Sequence, residues 1–189
     1  MTPLDLLDEM KVYVERQTKD LILPTRVDRR SGETPERPAE VHIMALPNKK
    51  AETERIPYVL LQFLTSKDQQ EPGELPESSC KIRIVAATYS EDKAEGSKGL
   101  LNLLTRIRTA FLRDGSIADR YLLKIRKEQP LEMIVYPDNT PPYYLGEMMT
   151  EWTLPPVNIE CGLPGPYFDQ RTPTVESEVE ERWQNSSRA

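Results

Sequence analysis

Pro141-Pro142-Tyr143-Tyr144-Leu145-Gly146-Glu147-Met148-Met149-Thr150-Glu151-Trp152 follows the apolar run Leu131-Glu132-Met133-Ile134-Val135-Tyr136 across a Pro-Asp-Asn-Thr turn. Together the two runs predict a β-hairpin. Its second strand, residues 145–154, enters through a double proline and leaves through Pro155-Pro156. Period-two geometry puts Gly146, Met148, Thr150, Trp152 and Leu154 on one face of that strand.

Working outward, residues 81–89 (KIRIVAATY) alternate as well. Ile82, Ile84 and Ala86 share one face and Arg83, Val85 and Ala87 the other, which predicts a central or near-central strand. An acidic loop at 90–96 follows. Ser97 then caps a helix running to Arg113 or Asp114, with Gly115 at the position after its C-terminus. Leu100, Leu103, Leu104, Ile107 and Phe111 recur at three and four and form its buried stripe. Residues 121–127 read as the next strand, turned by Glu128-Gln129-Pro130 into the hairpin.

Upstream, residues 2–19 predict a helix capped by Thr2, with Pro3 in the first position and Asp5 as the capping-box acid. Leu4, Leu7, Met10 and Val14 would be its buried face. Leu21-Ile22-Leu23 runs into Pro24, which stops the helix. Residues 41–46 and 58–64 are apolar runs of strand length and are both read as strands, the second more clearly. Residues 28–40, charged and rich in Pro and Gly, read as a mobile loop or hairpin tip, and residues 66–79 as a flexible loop.

The expected fold is therefore α+β: a mostly antiparallel four- to five-stranded sheet with flanking helices, one long helix packed on it. Residues 1–157 form the domain. Residues 158–189 are an acidic C-terminal extension, partly disordered, with room for a short helix at 174–184.

Composition narrows the function. The chain has 189 residues and a formal net charge of −6, which argues against coating nucleic acid, a task that needs clustered Lys and Arg. A like-charged wall along which DNA passes without sticking remains compatible with it. Cys80 and Cys161 show no disulfide-framework spacing and read as reduced thiols in a cytosolic setting. No apolar run approaches the roughly 20 residues of a membrane span. The N-terminus is an acidic amphipathic segment rather than a signal peptide.

Catalytic and metal-binding signals are weak. His42 is the only histidine, lies in a predicted strand and reads as a structural or surface side chain, and zinc on two cysteines and one histidine is disfavoured by their wide spacing. Glu147 and Glu151 share a face of the last strand and read as a solvated sheet surface, the alternative being an acid/base pair. Glu95-Gly96-Ser97-Lys98-Gly99 opens the long helix without the glycine spacing of a nucleotide loop. No cofactor or metal is expected. Lys98, Arg106, Arg108 and Arg113 make the long helix basic within an acidic chain, and the loop before it carries Glu91, Asp92 and Glu95. A solvated face is the plainest reading of these charges. In a ring of identical subunits they would instead form a charge-complementary seam, and contact with DNA in the lumen is a third reading.

The order of elements, and the segments KIRIVAATY, SKGLLNLLTRIRTAFL and PPYYLGEMMTEWTLPPV in particular, resembles the tail terminator and tail-completion (neck) proteins of long-tailed bacteriophages and prophages. The likeness covers residues 1–157. It implies a virion structural protein that forms a ring, commonly a hexamer, at the head-proximal end of the tail tube. Its partners would be further copies of itself, the major tail tube protein and the head connector or neck proteins. DNA would pass through the lumen without sequence-specific binding, and no membrane would be involved. The expected location is the virion tail or neck, and the host cytoplasm during assembly. The loops at 28–40 and 66–79 and the C-terminal extension depart from the family pattern. A head-completion or connector-adaptor protein is the nearest alternative. A small enzyme or ligand-binding domain with a cryptic carboxylate site is the alternative from another class.

Overall fold

Strand β5 (Glu77–Tyr89) is the backbone around which the rest of the sheet is laid down. The computed structural model describes residues 2–26, 34–47, 56–70, 76–127 and 130–155. On one side β5 pairs antiparallel with β9 (Tyr143–Leu154), from Ser78↔Leu154 to Tyr89↔Tyr143. On the other it pairs antiparallel with β4 (Tyr58–Gln69), with one register shift between Phe63 and Thr65. β5 is thus the central strand that KIRIVAATY predicts, bonded on both edges.

The far edge of β9 is shared. β8 (Glu132–Val135) pairs with residues 146–149 in the predicted hairpin, and β7 (Tyr121–Lys124) pairs with Glu151 and Trp152. The Asn139 side chain clasps the hairpin, accepting from Leu145 N at 3.0 Å and donating to Leu145 O at 2.7 Å. β6 (Ser116–Ile117) adds to β7. At the opposite end β3 (Glu40–Ile43) runs parallel to β4.

Among the described residues the main sheet therefore has seven strands in the order β3-β4-β5-β9-β7-β6, with β8 beside β9. It is a mixed sheet, not the mostly antiparallel sheet of four to five strands expected above. The strand that sequence reading missed in this sheet is β6, whose two residues are too short to display a period. The parallel pair follows from the long connection at 44–57, which brings the chain back to the end of the sheet where β3 began.

Strand also appears at 36–37, in the segment read as loop or hairpin tip, and in the segment 66–79 read as loop. Leu23–Pro24 (β1) and Glu36–Arg37 (β2) form a small antiparallel ladder. The segment 66–79 is largely the arm of the β4–β5 hairpin, paired from Thr65↔Lys81 to Gln69↔Glu77. It shows no apolar alternation because residues 64–69 are exposed, so the backbone ladder defines these strands. Residues 27–33 and 71–75 lie outside the described residues.

Helix α1 (Pro3–Thr18) begins as predicted. Asp5 N donates to Thr2 Oγ1 at 3.3 Å and Thr2 N donates to Asp5 Oδ2 at 2.6 Å, a reciprocal capping box. Its buried face is Leu6, Leu7, Met10, Tyr13 and Val14, whereas Leu4 is 57% exposed. Leu4 fits the three-four spacing, but the Leu6/Leu7/Met10/Val14 set turns the helix so that Leu4 points outward.

Helix α2 (Lys93–Asp114) starts a turn earlier than expected. Asp92, not Ser97, caps it, accepting from Ala94 N at 2.8 Å and Glu95 N at 2.9 Å. Gly115 ends it in the left-handed region, φ 65°, its N–H donating to Phe111 O. The predicted stripe Leu100, Leu103, Leu104, Ile107 and Phe111 is buried, together with Gly96 and Ala110.

Both helices cover one face of the sheet. Val59, Leu61, Ile82, Ile84, Ala86, Tyr144, Met148 and Trp152 rise from that face into a single core with the two helical stripes. A smaller cluster of Ile56, Tyr58, Ala87 and Tyr89, flanked by Leu46, Leu60 and Tyr143, lies on the other face. Its Leu46 and Ile56 come from the two ends of the β3–β4 connection.

Where α1 meets the end of α2, Tyr13 Oη donates to Asp114 Oδ2 at 2.5 Å. Burial, reinforced by that carboxylate, pushes the Tyr13 phenol up to about 12. Arg113 and then the Tyr13 hydroxyl hold Asp114 down at about 2. The raised phenol contributes stability that is present below pH ~10 and lost as pH rises towards 12. The depressed carboxyl contributes stability that is present above pH ~4 and lost as pH falls towards 2. In an ultraviolet titration Tyr13 should ionise after the exposed tyrosines, and Tyr13→Phe should delete that late increment while leaving the earlier ones.

Residues 1–156 form one compact unit. The acidic extension at 158–189 lies outside the described residues. No helix among the described residues is long and apolar enough to cross a membrane.

Candidate subunit-contact surface

The charges of the expected seam are spread along α2 and the loop before it, and most are engaged within the chain. Lys98 Nζ lies 2.9 Å from Glu95 Oε1, one turn away on the same helix. Arg106 pairs with Asp20 just beyond α1. Arg113 Nε lies 2.7 Å from Asp114 Oδ1 and its Nη2 3.4 Å from Gln17 Oε1. Asp92 is committed to the helix cap, and Glu91 accepts from Tyr89 Oη at 3.3 Å. Arg108 alone of the four cations is exposed and has no ion pair among the described residues. Arg106 and Arg113 thus tie α2 to the end of α1, while Arg108 and Lys93 are exposed cations of that helix with no ion pair among the described residues.

The carboxylates of the last strand are not a solvated pair. Glu147 forms an ion pair with Arg83, its diagonal neighbour on β5. Glu151 is 8% exposed, between Lys81 on β5 and Lys124 on β7 in the sheet register. Four residues apart on an extended strand, the two acids sit about 13 Å from each other along the backbone. Glycosidase carboxyls work at roughly 5–9.5 Å, so this pair does not have that geometry. Lys124 Nζ is instead 2.5 Å from Glu77 Oε1, and Lys124, then Arg126, hold the Glu77 carboxyl below its ordinary value.

His42 stands on β3 with Nε2 3.3 Å from Glu40 Oε2. Cys80 is buried on the helix-covered face opposite Trp152, and burial, then the charge of Glu151, pushes its thiol up to about 12. A thiol held protonated in this way is a packing group rather than a nucleophile. Cys161 lies outside the described residues. Among the described residues no group of three His, Cys, Asp or Glu side chains could hold a metal ion.

The feature that sequence reasoning missed is a strand edge left open among the described residues. β3 covers β4 only as far as Leu61. Met44, in the left-handed region at φ 61°, extends that cover: its N donates to Leu61 O at 2.7 Å, and Phe63 N donates to its Sδ at 3.3 Å. Beyond this, residues 64–69 are bonded through β5 alone among the described residues. Leu64 is 44% exposed on this stretch. The register shift at 63/65 and the charges of Lys67 and Asp68 are features that discourage indiscriminate edge pairing. The sequence signal for the arm was Pro72-Gly73 between two polar runs of equal strand length, a turn dipeptide that a loop reading absorbs too easily.

Such an edge offers a row of backbone donors and acceptors to another strand. Scans of the chain against protein-family models and against curated proteins found no match.

Proposed function

We propose that this chain is a phage virion structural protein that terminates or completes the tail, forming an oligomeric ring at the head-proximal end of the tail tube and joining it to the head. Its mechanism is assembly rather than turnover. Identical subunits meet through two different surfaces, and rotation from one copy to the next closes the ring and fixes the copy number. One ring face covers the end of the tube and stops further addition, and the other meets the head connector or neck. The net charge of −6 keeps phosphate from adhering to the lumen as DNA passes.

The open edge of β4 at residues 64–69 is the observation that carries this reading. An exposed hairpin arm with one edge unpaired among the described residues, protected against random pairing, suits addition of a strand from a neighbouring copy. The segments that carry the family resemblance support it further, since strand, long helix and hairpin pack into a single α+β layer pair.

Purified protein added to growing tail tubes should cap them. Electron microscopy should show extra density at one tube end, and the tubes should stop lengthening. Ser66→Pro and Lys67→Pro probe the edge itself. Adjacent residues on a strand direct their N–H groups to opposite sides, so one variant loses a ladder bond to β5 and the other only an outward donor. The variant losing only the outward donor should keep its thermal stability and lose capping. Full capping by both variants would remove the edge from the mechanism.

A further inference from the structure

α2 carries an exposed ridge of Leu101, Arg108 and Leu112, the two leucines 47% and 39% exposed. Successive helical residues turn about 100°, so this ridge lies about 100–160° around the axis from Arg106 and Arg113. Those two residues face Asp20 and Gln17 at the end of α1, so the ridge is on the flank of α2 turned away from α1. α1 carries a second exposed ridge opposite its buried face: Leu4, Asp8 and Val12, four residues apart, with the apolar pair 57% and 62% exposed. Neither Arg108 nor Asp8 has an ion pair among the described residues.

We infer that the Leu101–Arg108–Leu112 ridge of one copy docks on the Leu4–Asp8–Val12 ridge of the next, with an Arg108–Asp8 ion pair bracketed by aliphatic contacts. The ridges are complementary in charge and similar in length, about 16 Å and 12 Å at 1.5 Å per residue. Arg108 lies one turn from Leu112, as Asp8 lies one turn from Leu4 and from Val12, so the ion pair and one apolar contact fall at the same interval, with Leu101 two turns from Arg108. An arginine among apolar side chains, shielded from water on docking, is a common composition for the energetic centre of an interface. The two ridges are different surfaces of the same chain. A copy that has used its α2 ridge therefore still offers its α1 ridge, and the contact propagates around a ring instead of ending at a pair. This inference rests on the ring reading and identifies where its helices meet.

The test is a charge swap read by sedimentation and native mass spectrometry across a concentration series, with and without tail tubes. Arg108→Glu and Asp8→Arg should each weaken association by about tenfold, because each sets like charges face to face. The double variant Arg108→Glu/Asp8→Arg should restore it to near the wild-type value. Leu112→Ser, which keeps every charge, should weaken association too. All three sites are exposed, and circular dichroism should show the fold retained. If the wild-type chain assembles but the single reversals or Leu112→Ser assemble equally well, or the double variant is no better than the singles, the helix contact is wrong and the ring reading stands. A wild-type chain that stays monomeric at every concentration, with tubes present, removes both.

Discussion

Phe111→Ala should lower the stability of the fold by about 3–5 kcal/mol, the cost of deleting a large buried aromatic and leaving a cavity behind. Phe111 is 1% exposed and sits where three elements meet. It stacks on Tyr13 of α1 with ring centroids 5.6 Å apart and meets Trp152 of β9 edge-on at 5.1 Å. Its removal takes away the contact of α2 with α1 and with the sheet at once, and the neighbouring rings are too rigid to fill the gap. Chemical denaturation would read the loss directly. Phe111→Leu, which keeps most of the volume, should cost about 1–2 kcal/mol. An unchanged unfolding midpoint for Phe111→Ala would contradict the packing described here.

The second large effect is one whose sign opposes helix propensity. Gly96 lies inside α2, where Ala would ordinarily be favoured by about 1 kcal/mol. A Cβ at this position would stand 2.1 Å from Cε2 of Tyr144. Tyr144 is fully buried, and its hydroxyl donates to Asp92 O at 3.2 Å, so the ring has little freedom to withdraw. Overpacking of this kind costs about 1–3 kcal/mol or more, which outweighs the propensity gain. Gly96→Ala should therefore destabilise the domain. Combining it with Tyr144→Val should cost less than the two changes added together, because the second makes room for the first. A Gly96→Ala variant more stable than the parent would show that Tyr144 does not press on the helix.

The contrast between these residues marks what could be read from the sequence. The helical spacing of Leu100, Leu103, Leu104, Ile107 and Phe111 and the alternation of residues 144–154 are strong periodic signals, and the buried faces of α2 and β9 follow them. The capping box of Thr2 and Asp5 was legible for the same reason, since it depends on neighbours three residues apart. Gly96 was not legible as a helical residue. Its place is set by Tyr144, which is 48 positions away in the chain, and Asp92 competes with Ser97 for the cap. The strand at 41–46 was legible as an apolar run and stands as β3, but its parallel pairing with β4 was not, and the two-residue β6 and the polar arm of β4 and β5 show no period of their own. The contact surface followed the same pattern. The sequence picked out the basic helix, while the structure engages Lys98, Arg106 and Arg113 within the chain and leaves Arg108 exposed.

Closure of identical copies of this chain into a ring can be followed by native mass spectrometry of the purified protein over a rising concentration series, repeated with tail tubes. Monomer should give way to a single closed species of fixed copy number, with the transition moved to higher concentration by added salt as exposed charges are screened. A chain that remains monomeric throughout, or that grows into assemblies of indefinite size, would contradict ring closure.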